Sequence, residues 1–330
     1  MKNFLRIEDT SKYQIDELLR LSTDYKKNRY SNALKNKVLI TIFFNPSTRT
    51  KISFNLAISQ LGGKCIDISP GSSSWGLEIQ EGSVMNGESE EHLKDAVKVM
   101  CKYADAIAVR AFPKFINWKE ERKDYLINKM AEWSNKPIIN METITHPCQA
   151  LAMVKTMQEK LRKLKGKKFV LSWAYHPKPL NTAVANSAGV IASLYGMEVV
   201  VANPSGFDLD ERYLTLMGKN CKNYGANFEV VHNMEQGLKD ADFVYIKSWG
   251  SLDNFGKHRK DTPSYLKNWI LDSKKMKSTN DAFISHCLPV RRNCLVSDSV
   301  LDSNKSLIYE EAENRLHVQK AVLKKLLEKR

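Results

Sequence analysis

Residues able to bind an anion follow a short apolar run near the start of this sequence. Residues 45–50 read Asn-Pro-Ser-Thr-Arg-Thr and lead into a helical pattern. Ser47 is a good helix N-cap, and Pro46 fits just before a first turn. The three N–H groups after Ser47 are expected to point outward and, with the hydroxyls and Arg49, to form a phosphate cradle. A capped helix with one exposed arginine explains the same residues equally well.

Further ionisable and hydrogen-bonding residues follow other apolar runs. They are Arg110, Glu142 and His146 in the first half of the chain, and His176, Lys247, His286 and Cys287 in the second. Each has an ordinary structural explanation, and a lone histidine is more often a satisfied polar residue than a ligand. Together they would line the carboxyl ends of two parallel sheets, where open α/β sheets bind ligands.

The sequence lacks the motifs that are typical of several other kinds of active site. Histidine and cysteine do not recur at the spacing of a metal site, and neither a nucleotide-binding glycine loop nor a Gly-x-Ser-x-Gly elbow occurs. We therefore expect no metal. No base is committed to Cys287, so a positioning or packing role is expected for this thiol.

Short apolar runs alternate with segments of helical period, which predicts an α/β fold with parallel sheets. Strands are expected at 37–44, 64–68, 106–110, 137–141, 168–173, 197–202, 228–232, 243–246 and 282–286. Helices are expected at 50–61, 91–103, 119–133, 149–164, 181–195, 211–224 and 311–329. The pattern divides into two doubly wound parallel-sheet domains, 1–148 and 149–310. Two long polar stretches, 69–87 and 248–263, are typical of functional or mobile loops.

Composition excludes several classes of protein. The 330 residues are 42% hydrophobic, with no apolar run long enough to cross a bilayer and no signal-peptide core at the start. Six irregularly spaced cysteines favour reduced thiols in the cytoplasm. The formal charge of +14 fits a polyanion partner, a small anionic substrate or a generally basic proteome. Because the lysines are scattered and not interleaved with aromatics, a solvated basic surface is favoured over nucleic-acid binding.

Four motifs together resemble the signature set of the aspartate/ornithine carbamoyltransferase family, in order and in spacing. They are residues 43–50, 146–149 (His-Pro-Cys-Gln), 286–289 (His-Cys-Leu-Pro) and 313–315 (Glu-Asn-Arg). The resemblance implies two parallel α/β domains, a terminal helix 311–330 returning to the first domain, and an active site in the interdomain cleft. It also implies a homotrimer with sites at subunit boundaries, and no metal or organic cofactor.

Carried over residue by residue, the resemblance assigns the ligands of carbamoyl phosphate. They are Ser47, Thr48, Arg49, Thr50, Trp75, Arg110, His146, Pro147, Cys148, Gln149, Cys287, Leu288 and Arg315. Among these, Arg110, Thr50 and His146 would stabilise the developing oxyanion, and Gln149 would hold the carbamoyl amide. The backbone around Cys287 would complete the catalytic set.

Other segments resemble the branch of the family that acts on acylated ornithine, chiefly the acetylornithine enzymes. Enzymes for free ornithine carry an aspartate four residues before a loop serine, whereas this chain has Val244 followed by Lys247-Ser248-Trp249-Gly250. Acylation removes the α-ammonium that needs a carboxylate and leaves an α-carboxylate that needs a cation. The acylornithine ligands implied are Glu142, Lys247, Leu288, His176, Asn181 and Phe112.

Glu90 occupies the position where the acetyl-specific branch has glutamate and the succinyl-specific branch has proline. A carboxylate about 5 Å from a succinyl carboxylate would cost about 3 kcal/mol at an effective dielectric near 20. The alternative is an acidic residue at the start of helix 91–103, where the helix dipole favours it. We expect N2-acetyl-L-ornithine as the substrate, in bacterial arginine biosynthesis, with Trp75 and the Glu90 loop reaching a neighbouring subunit. The alternatives are N-succinylornithine, a catalytically idle homologue and, from another class, a basic nucleic-acid-binding protein.

Overall fold

The computed structural model describes residues 1–255 and 262–328, and the predicted loop 248–263 therefore lies partly outside the described residues. The first part of the chain contains α1 (Lys12–Lys27), β1 (Val38–Phe43), α2 (Thr48–Ser59), β2 (Lys64–Ile68), β3 (Leu77–Glu78), β4 (Glu91–His92), α3 (Leu93–Tyr103), β5 (Ala106–Arg110), α4 (Trp118–Glu121), α5 (Tyr125–Trp133) and β6 (Ile138–Glu142). The second part contains α6 (Pro147–Leu161), β7 (Lys168–Trp173), α7 (Ala183–Leu194), β8 (Glu198–Ala202), α8 (Glu211–Asn223), β9 (Phe228–Val231), α9 (Met234–Leu238), β10 (Phe243–Lys247), a 3-10 helix (Ser264–Asn268), α10 (Ser273–Met276), β11 (Phe283–Ser285), α11 (Asp298–Leu301) and α12 (Ile308–Leu327).

Two parallel sheets form the framework, as the α/β pattern predicted. The first sheet has the order β2-β1-β5-β6, and the second has the order β11-β10-β7-β8-β9. Every residue of β5, β6 and β10 is buried, which is typical of parallel strands covered by helices on both faces. The apolar clusters around Ile42 and Ile107 in the first sheet and around Val170 and Val244 in the second form separate cores.

The chain divides into two compact units. The first comprises residues 1–113, 119–148 and 315–330, and the second comprises residues 114–118 and 149–314. In contrast to the predicted boundaries, the segment 114–118 belongs to the second unit, where Trp118 Nε1 donates to Asp210 Oδ2 at 2.7 Å. The terminal helix is divided after Asn314, and the last two residues of the range predicted for it, 329 and 330, lie outside the described residues.

Two local predictions need correction, and one helix was not predicted. The helix expected at 119–133 is two short helices, because Asp124 adopts a left-handed backbone (φ 53°) while its buried carboxylate accepts from Arg6 and Thr143. The helix expected to begin at residue 91 begins at Leu93, since Glu91 and His92 form β4 and pair with β3 inside the predicted loop 69–87. Helix α1 was not predicted at all, although Ser11 and Gln14 form a capping box at its start.

Candidate active site

The N-terminus of α2 has the cap that its sequence predicted, with one difference. Ser47 is the N-cap, and its Oγ accepts the N–H of Thr50 at 3.3 Å. Of the three N–H groups expected to point outward and free, that of Thr50 is therefore already used by the cap. Thr48 is exposed and Arg49 is half-buried, and Arg49 Nε is buried without a hydrogen-bond partner in the described part of the chain. A buried guanidinium N–H without an acceptor is a donor available to an anion.

A second guanidinium lies at the same helix end, within the first unit. Arg315 of α12 is 4% exposed, and its Nη2 donates to Thr50 Oγ1 at 2.6 Å. Burial raises the pKa of the Cys148 thiol to about 12, although the charge of Arg315 acts in the opposite direction. Cys148 is therefore a neutral, packed thiol beside Pro147, the first residue of α6.

An irregularity in the pairing of β5 with β6 determines the position of Arg110. The pairing of β5 with β6 shifts register after Val109, so that Arg110 stands opposite Glu142. Such a bulge re-aims the side chains at a strand end. Arg110 Nη1 donates to Glu142 Oε2, and His146 Nε2 lies 3.6 Å from the same oxygen. The Glu142 carboxylate thus holds Arg110 and His146 together.

The other contacts of Arg110 fix its guanidinium group but leave one N–H donor without an acceptor. Its carbon Cζ lies 4.4 Å from the centroid of the Phe112 ring, and the Phe112 N–H donates to Asn45 Oδ1 at 2.7 Å. Arg110 is 9% exposed, and its Nε is buried with no hydrogen-bond partner in residues 1–255 and 262–328. The cluster therefore presents an unsatisfied cationic donor, as does Arg49.

The turn that delivers His146 is built on a buried amide. Asn140 of β6 donates through Nδ2 to Thr143 Oγ1 at 2.9 Å and to Thr145 Oγ1 at 3.1 Å. Gln149 follows in the first turn of α6 and is 2% exposed. The contacts of Asn140 fix the chain just before the His-Pro-Cys-Gln motif.

In the second unit, Lys247 is the last residue of β10. It is 9% exposed and forms no ion pair with any described side chain. The loop after it is fixed by Ser248 Oγ, which donates to the Ala174 carbonyl at 2.6 Å. A Cβ at Gly250 would lie 2.8 Å from Pro179 Cβ, so only glycine allows the two loops to approach this closely. The second unit therefore presents, at a strand end, a largely buried lysine without an ion-pair partner in the described residues.

His176 orients a cation that the sequence did not single out. Arg291 Nε donates to His176 Nε2 at 3.0 Å, while His176 Nδ1 lies 2.7 Å from the Lys178 carbonyl. Burial lowers the pKa of His176, and the charges of Arg291 and Lys247 lower it further. The imidazole is therefore neutral at pH 7, donates from Nδ1 and accepts from Arg291. A cavity of about 160 Å³ adjoins it and is lined by aromatic side chains, among them Trp173, Phe207 and Trp249.

The remaining second-unit residues lie at the ends of β7 and β11. Asn181 is buried, and its Oδ1 accepts the N–H of Ala183 at 3.2 Å at the start of α7. Leu288 has a left-handed backbone (φ 58°), and its N–H donates to His286 Nδ1 at 2.8 Å. Strained backbone of this kind is concentrated at ligand sites. Cys287, just before it, is half-buried and is not part of a disulfide.

Trp75 and Glu90 lie on neighbouring segments of the first unit. Glu90 Oε2 is 3.5 Å from the position of a Cβ at Gly76, directly after Trp75. Trp75 is 64% exposed. Val84 (81%) and Met85 (42%), which follow in the same stretch of chain, are also exposed. Because α3 begins at Leu93, Glu90 lies outside its first turn, two residues before the N-cap His92.

The described residues contain neither a metal-binding cluster nor a membrane-spanning helix. No group of three or more His, Cys, Asp and Glu side chains in residues 1–255 and 262–328 is arranged to hold a metal ion. Over the same residues, the helices all lack the length and apolar character needed to cross a bilayer.

Comparison with known proteins agrees with this geometry. Residues 2–159 match the family described as aspartate/ornithine carbamoyltransferase, carbamoyl-P binding domain, and residues 174–326 match its Asp/Orn binding domain. The chain is 45% identical to N-acetylornithine carbamoyltransferase of Xanthomonas campestris pv. campestris, over 99% of this chain and 98% of the relative. It is 35% identical to N-succinylornithine carbamoyltransferase of Bacteroides fragilis, over 99% of both chains. A crystal structure of acetylornithine transcarbamylase complexed with acetylcitrulline is 45% identical and superposes with a TM-score of 0.97, over 99% of each chain. The chain therefore belongs to the aspartate/ornithine carbamoyltransferase family.

Proposed function

We propose that this protein transfers the carbamoyl group of carbamoyl phosphate to the δ-amine of N2-acetyl-L-ornithine, giving N-acetyl-L-citrulline and phosphate. The observation that carries the choice of an acylated ornithine is Lys247, a buried cation without an ion-pair partner in the described residues. An α-carboxylate satisfies this cation, whereas the α-ammonium of free ornithine would be repelled by it. The identity of 45% to the acetyl enzyme, against 35% to the succinyl enzyme, supports acetyl.

Carbamoyl phosphate is assigned to the cations and hydroxyls of the first unit. Ser47, Thr48, Arg49, Thr50 and Arg315 would hold the phosphate, and the unsatisfied donors of Arg49 and Arg110 support this assignment. His146 and Arg110 would donate to the carbonyl oxygen. Backbone at Pro147, Cys148, Cys287 and Leu288 completes the proposed ligand set, with Gln149 on the carbamoyl amide and Trp75 supplied by a neighbouring subunit.

The reaction itself needs positioning and charge stabilisation. The δ-nitrogen attacks the carbamoyl carbon, a C–N bond forms, and the C–O bond to phosphate breaks with its electron pair leaving on the phosphate oxygen. The amine must first be neutral, which at pH 7 costs about 4–5 kcal/mol for a lysine-like pKa near 10.4. Nearby cations lower that cost, and alignment with donors at the developing oxyanion lowers the barrier. One of the two protons on the attacking nitrogen passes to the departing phosphate, and the other stays on the product.

The acylated ornithine is assigned to Lys247, Leu288, His176 and Asn181 of the second unit, with Glu142 and Phe112 of the first. Lys247 would bind the α-carboxylate. His176 is neutral and holds Arg291, so its contribution is to fix a second cation near that carboxylate. Glu142 is the acceptor available to orient the δ-amine while it holds Arg110.

Glu90 is proposed as the residue that selects acetyl over succinyl. Its carboxylate lies beside Gly76, the residue after Trp75, in an exposed segment that precedes the N-cap of α3. In that position it would repel the extra carboxylate of a succinyl group. N-succinylornithine remains the alternative substrate that the assay below includes.

A homotrimer is proposed from exposed apolar groups. Ile52 and Leu56, one turn apart on α2, are 54% and 43% exposed, and Ile66 on the edge strand β2 is 54% exposed. Exposed apolar side chains that cluster on a surface mark association sites. Trp75 supports the same proposal because it has an exposed indole that a neighbouring subunit would cover. The cytoplasm is the proposed setting, since none of the six cysteines, each within the described residues, is disulfide-bonded.

A ureido-product assay tests the proposed function. Purified protein is incubated with carbamoyl phosphate and, separately, with ornithine, N-acetylornithine, N-succinylornithine and aspartate. Rapid product formation with N-acetylornithine alone supports the proposal, and preference for another acceptor contradicts it. The Arg49→Ala variant should lose turnover. Binding to duplex DNA that is steeply salt-dependent and survives Arg49→Ala would instead support the nucleic-acid-binding alternative.

A further inference from the structure

A buried carboxylate of the second unit organises three hydrogen-bond donors from different elements. Glu311, in the first turn of α12, is fully buried. It accepts from Tyr245 Oη at 2.8 Å, from Ser285 Oγ and from Gln149 Nε2. These donors belong to β10, β11 and α6, and all three are neutral. Such networks fix the orientation of each member, because every alternative leaves a buried polar group unsatisfied.

The contact with Gln149 determines which end of this amide faces away from Glu311. A carboxylate accepts hydrogen bonds, so it holds the NH2 end of Gln149, and Oε1 must point elsewhere. Gln149 is 2% exposed, and its Oε1 is buried with no hydrogen-bond partner in the described residues. A buried carbonyl oxygen without a donor is unfavourable unless a ligand supplies the donor.

We propose that Glu311 is a positioning residue that holds the Gln149 carbonyl toward the NH2 group of the carbamoyl substrate. The inference rests on the proposed function, which assigns Gln149 to the carbamoyl amide. With Gln149 in this orientation, its oxygen accepts a carbamoyl N–H. With the amide reversed, two NH2 groups would face each other. Glu311 thereby selects a carbamoyl group over acyl phosphates of similar shape that have no N–H in this position.

Two unreactive analogues of carbamoyl phosphate report the orientation of Gln149 directly. Phosphonoacetamide keeps the terminal NH2, and phosphonoacetate has a carboxylate oxygen in its place. Each is titrated as a competitive inhibitor against carbamoyl phosphate, and the ratio of the two inhibition constants is compared between variants. The Gln149 oxygen favours the amide and repels the carboxylate, so the wild-type protein should prefer phosphonoacetamide by at least about tenfold.

Substitutions at Glu311 then separate positioning from folding. Glu311→Met removes the acceptor and should reduce the preference for phosphonoacetamide by about tenfold or more, while the affinity for inorganic phosphate changes less than about threefold. Glu311→Gln keeps a carbonyl oxygen that can accept from Gln149 while its amide donates to Ser285, so it should retain most of the preference. Tyr245→Phe is the matched control, because it removes a donor to Glu311 without touching Gln149, and its ratio should equal that of wild type.

The outcomes are distinguishable from failure of the proposed function. If the wild-type protein forms N-acetylcitrulline but Glu311→Met keeps the wild-type ratio, the positioning role is refuted. Equal weakening of both analogues and of phosphate would show a purely structural role and also refutes it. If Glu311→Met does not fold, Glu311→Asp is used instead. Its shorter side chain withdraws the carboxylate from Gln149 and should lower the preference for phosphonoacetamide. An unchanged preference would overturn the inference.

Discussion

The Lys247→Met substitution tests the proposed recognition of the substrate's α-carboxylate. Lys247 ends β10, is 9% exposed, and forms no ion pair with any side chain in residues 1–255 or 262–328. Methionine keeps an unbranched apolar stem of similar length and removes the ammonium group. The substitution therefore deletes the charge with little change in packing.

The size of the effect follows from the burial of the cation. Two unit charges about 3.5 Å apart attract by about 5 kcal/mol at an effective dielectric near 20, and desolvation of both groups offsets part of this. Removing one partner of a buried, hydrogen-bonded charge pair costs about 2–5 kcal/mol. We therefore expect kcat/KM for N-acetylornithine to fall by about thirtyfold to several thousandfold.

N-acetylputrescine provides the decisive comparison, because it is N-acetylornithine with hydrogen in place of the α-carboxylate. Lys247→Met should leave the low kcat/KM for N-acetylputrescine within about threefold of wild type, while that for N-acetylornithine collapses. Lys239→Met is the matched control, since Lys239 is exposed at the C-terminus of α9 and should change neither value. Equal losses for both acceptors, or an unchanged ratio between them, would refute the assignment of Lys247 to the carboxylate.

Three further outcomes are expected. Glu90→Pro should raise kcat/KM for N-succinylornithine by up to about a hundredfold, with Glu88→Pro as the control; no gain would count against Glu90 as the selector. Leu56→Asp should dissociate the assembly in analytical ultracentrifugation and abolish activity, whereas an active, unaltered oligomer would exclude α2 from the interface. Burial, and then the charge of Arg29, lower the pKa of Lys320 to about 8. The unfolded chain, with a pKa near 10.4, binds more protons between these values, so the free energy of unfolding should rise with pH there, and Lys320→Met should flatten that rise in urea titrations.

The sheets were predictable because their strands are short apolar runs buried on both faces. The strands at 64–68, 106–110 and 168–173 begin and end where the sequence predicted. The others differ by one or two residues, as at β11, where backbone pairing stops at Ser285 before the polar turn. A run of apolar residues between polar breaks determines such strands locally, without knowledge of their neighbours.

Features that depend on distant partners were not predictable in the same way. Asp124 breaks the helix expected at 119–133 because its carboxylate binds Arg6 and Thr143. Arg291 depends on His176, 115 residues earlier in the chain, and Glu311 depends on Gln149, 162 residues earlier. The motifs signalled His176 and Gln149, but no spacing rule connects either residue with its partner.

The placement of acids and cations within each unit explains how one protein could bind a phosphate and also favour a neutral amine. In the first unit, Glu142 accepts from Arg110, and Arg315 donates to the hydroxyl of Thr50. In the second unit, Lys247 and Arg291 contribute positive charge, and His176 adds none because it stays neutral. Cations that attract an α-carboxylate also lower the pKa of a nearby ammonium group. The charge that selects the acylated substrate would therefore also make its δ-amine a better nucleophile, and an aspartate placed to bind free ornithine would oppose both effects.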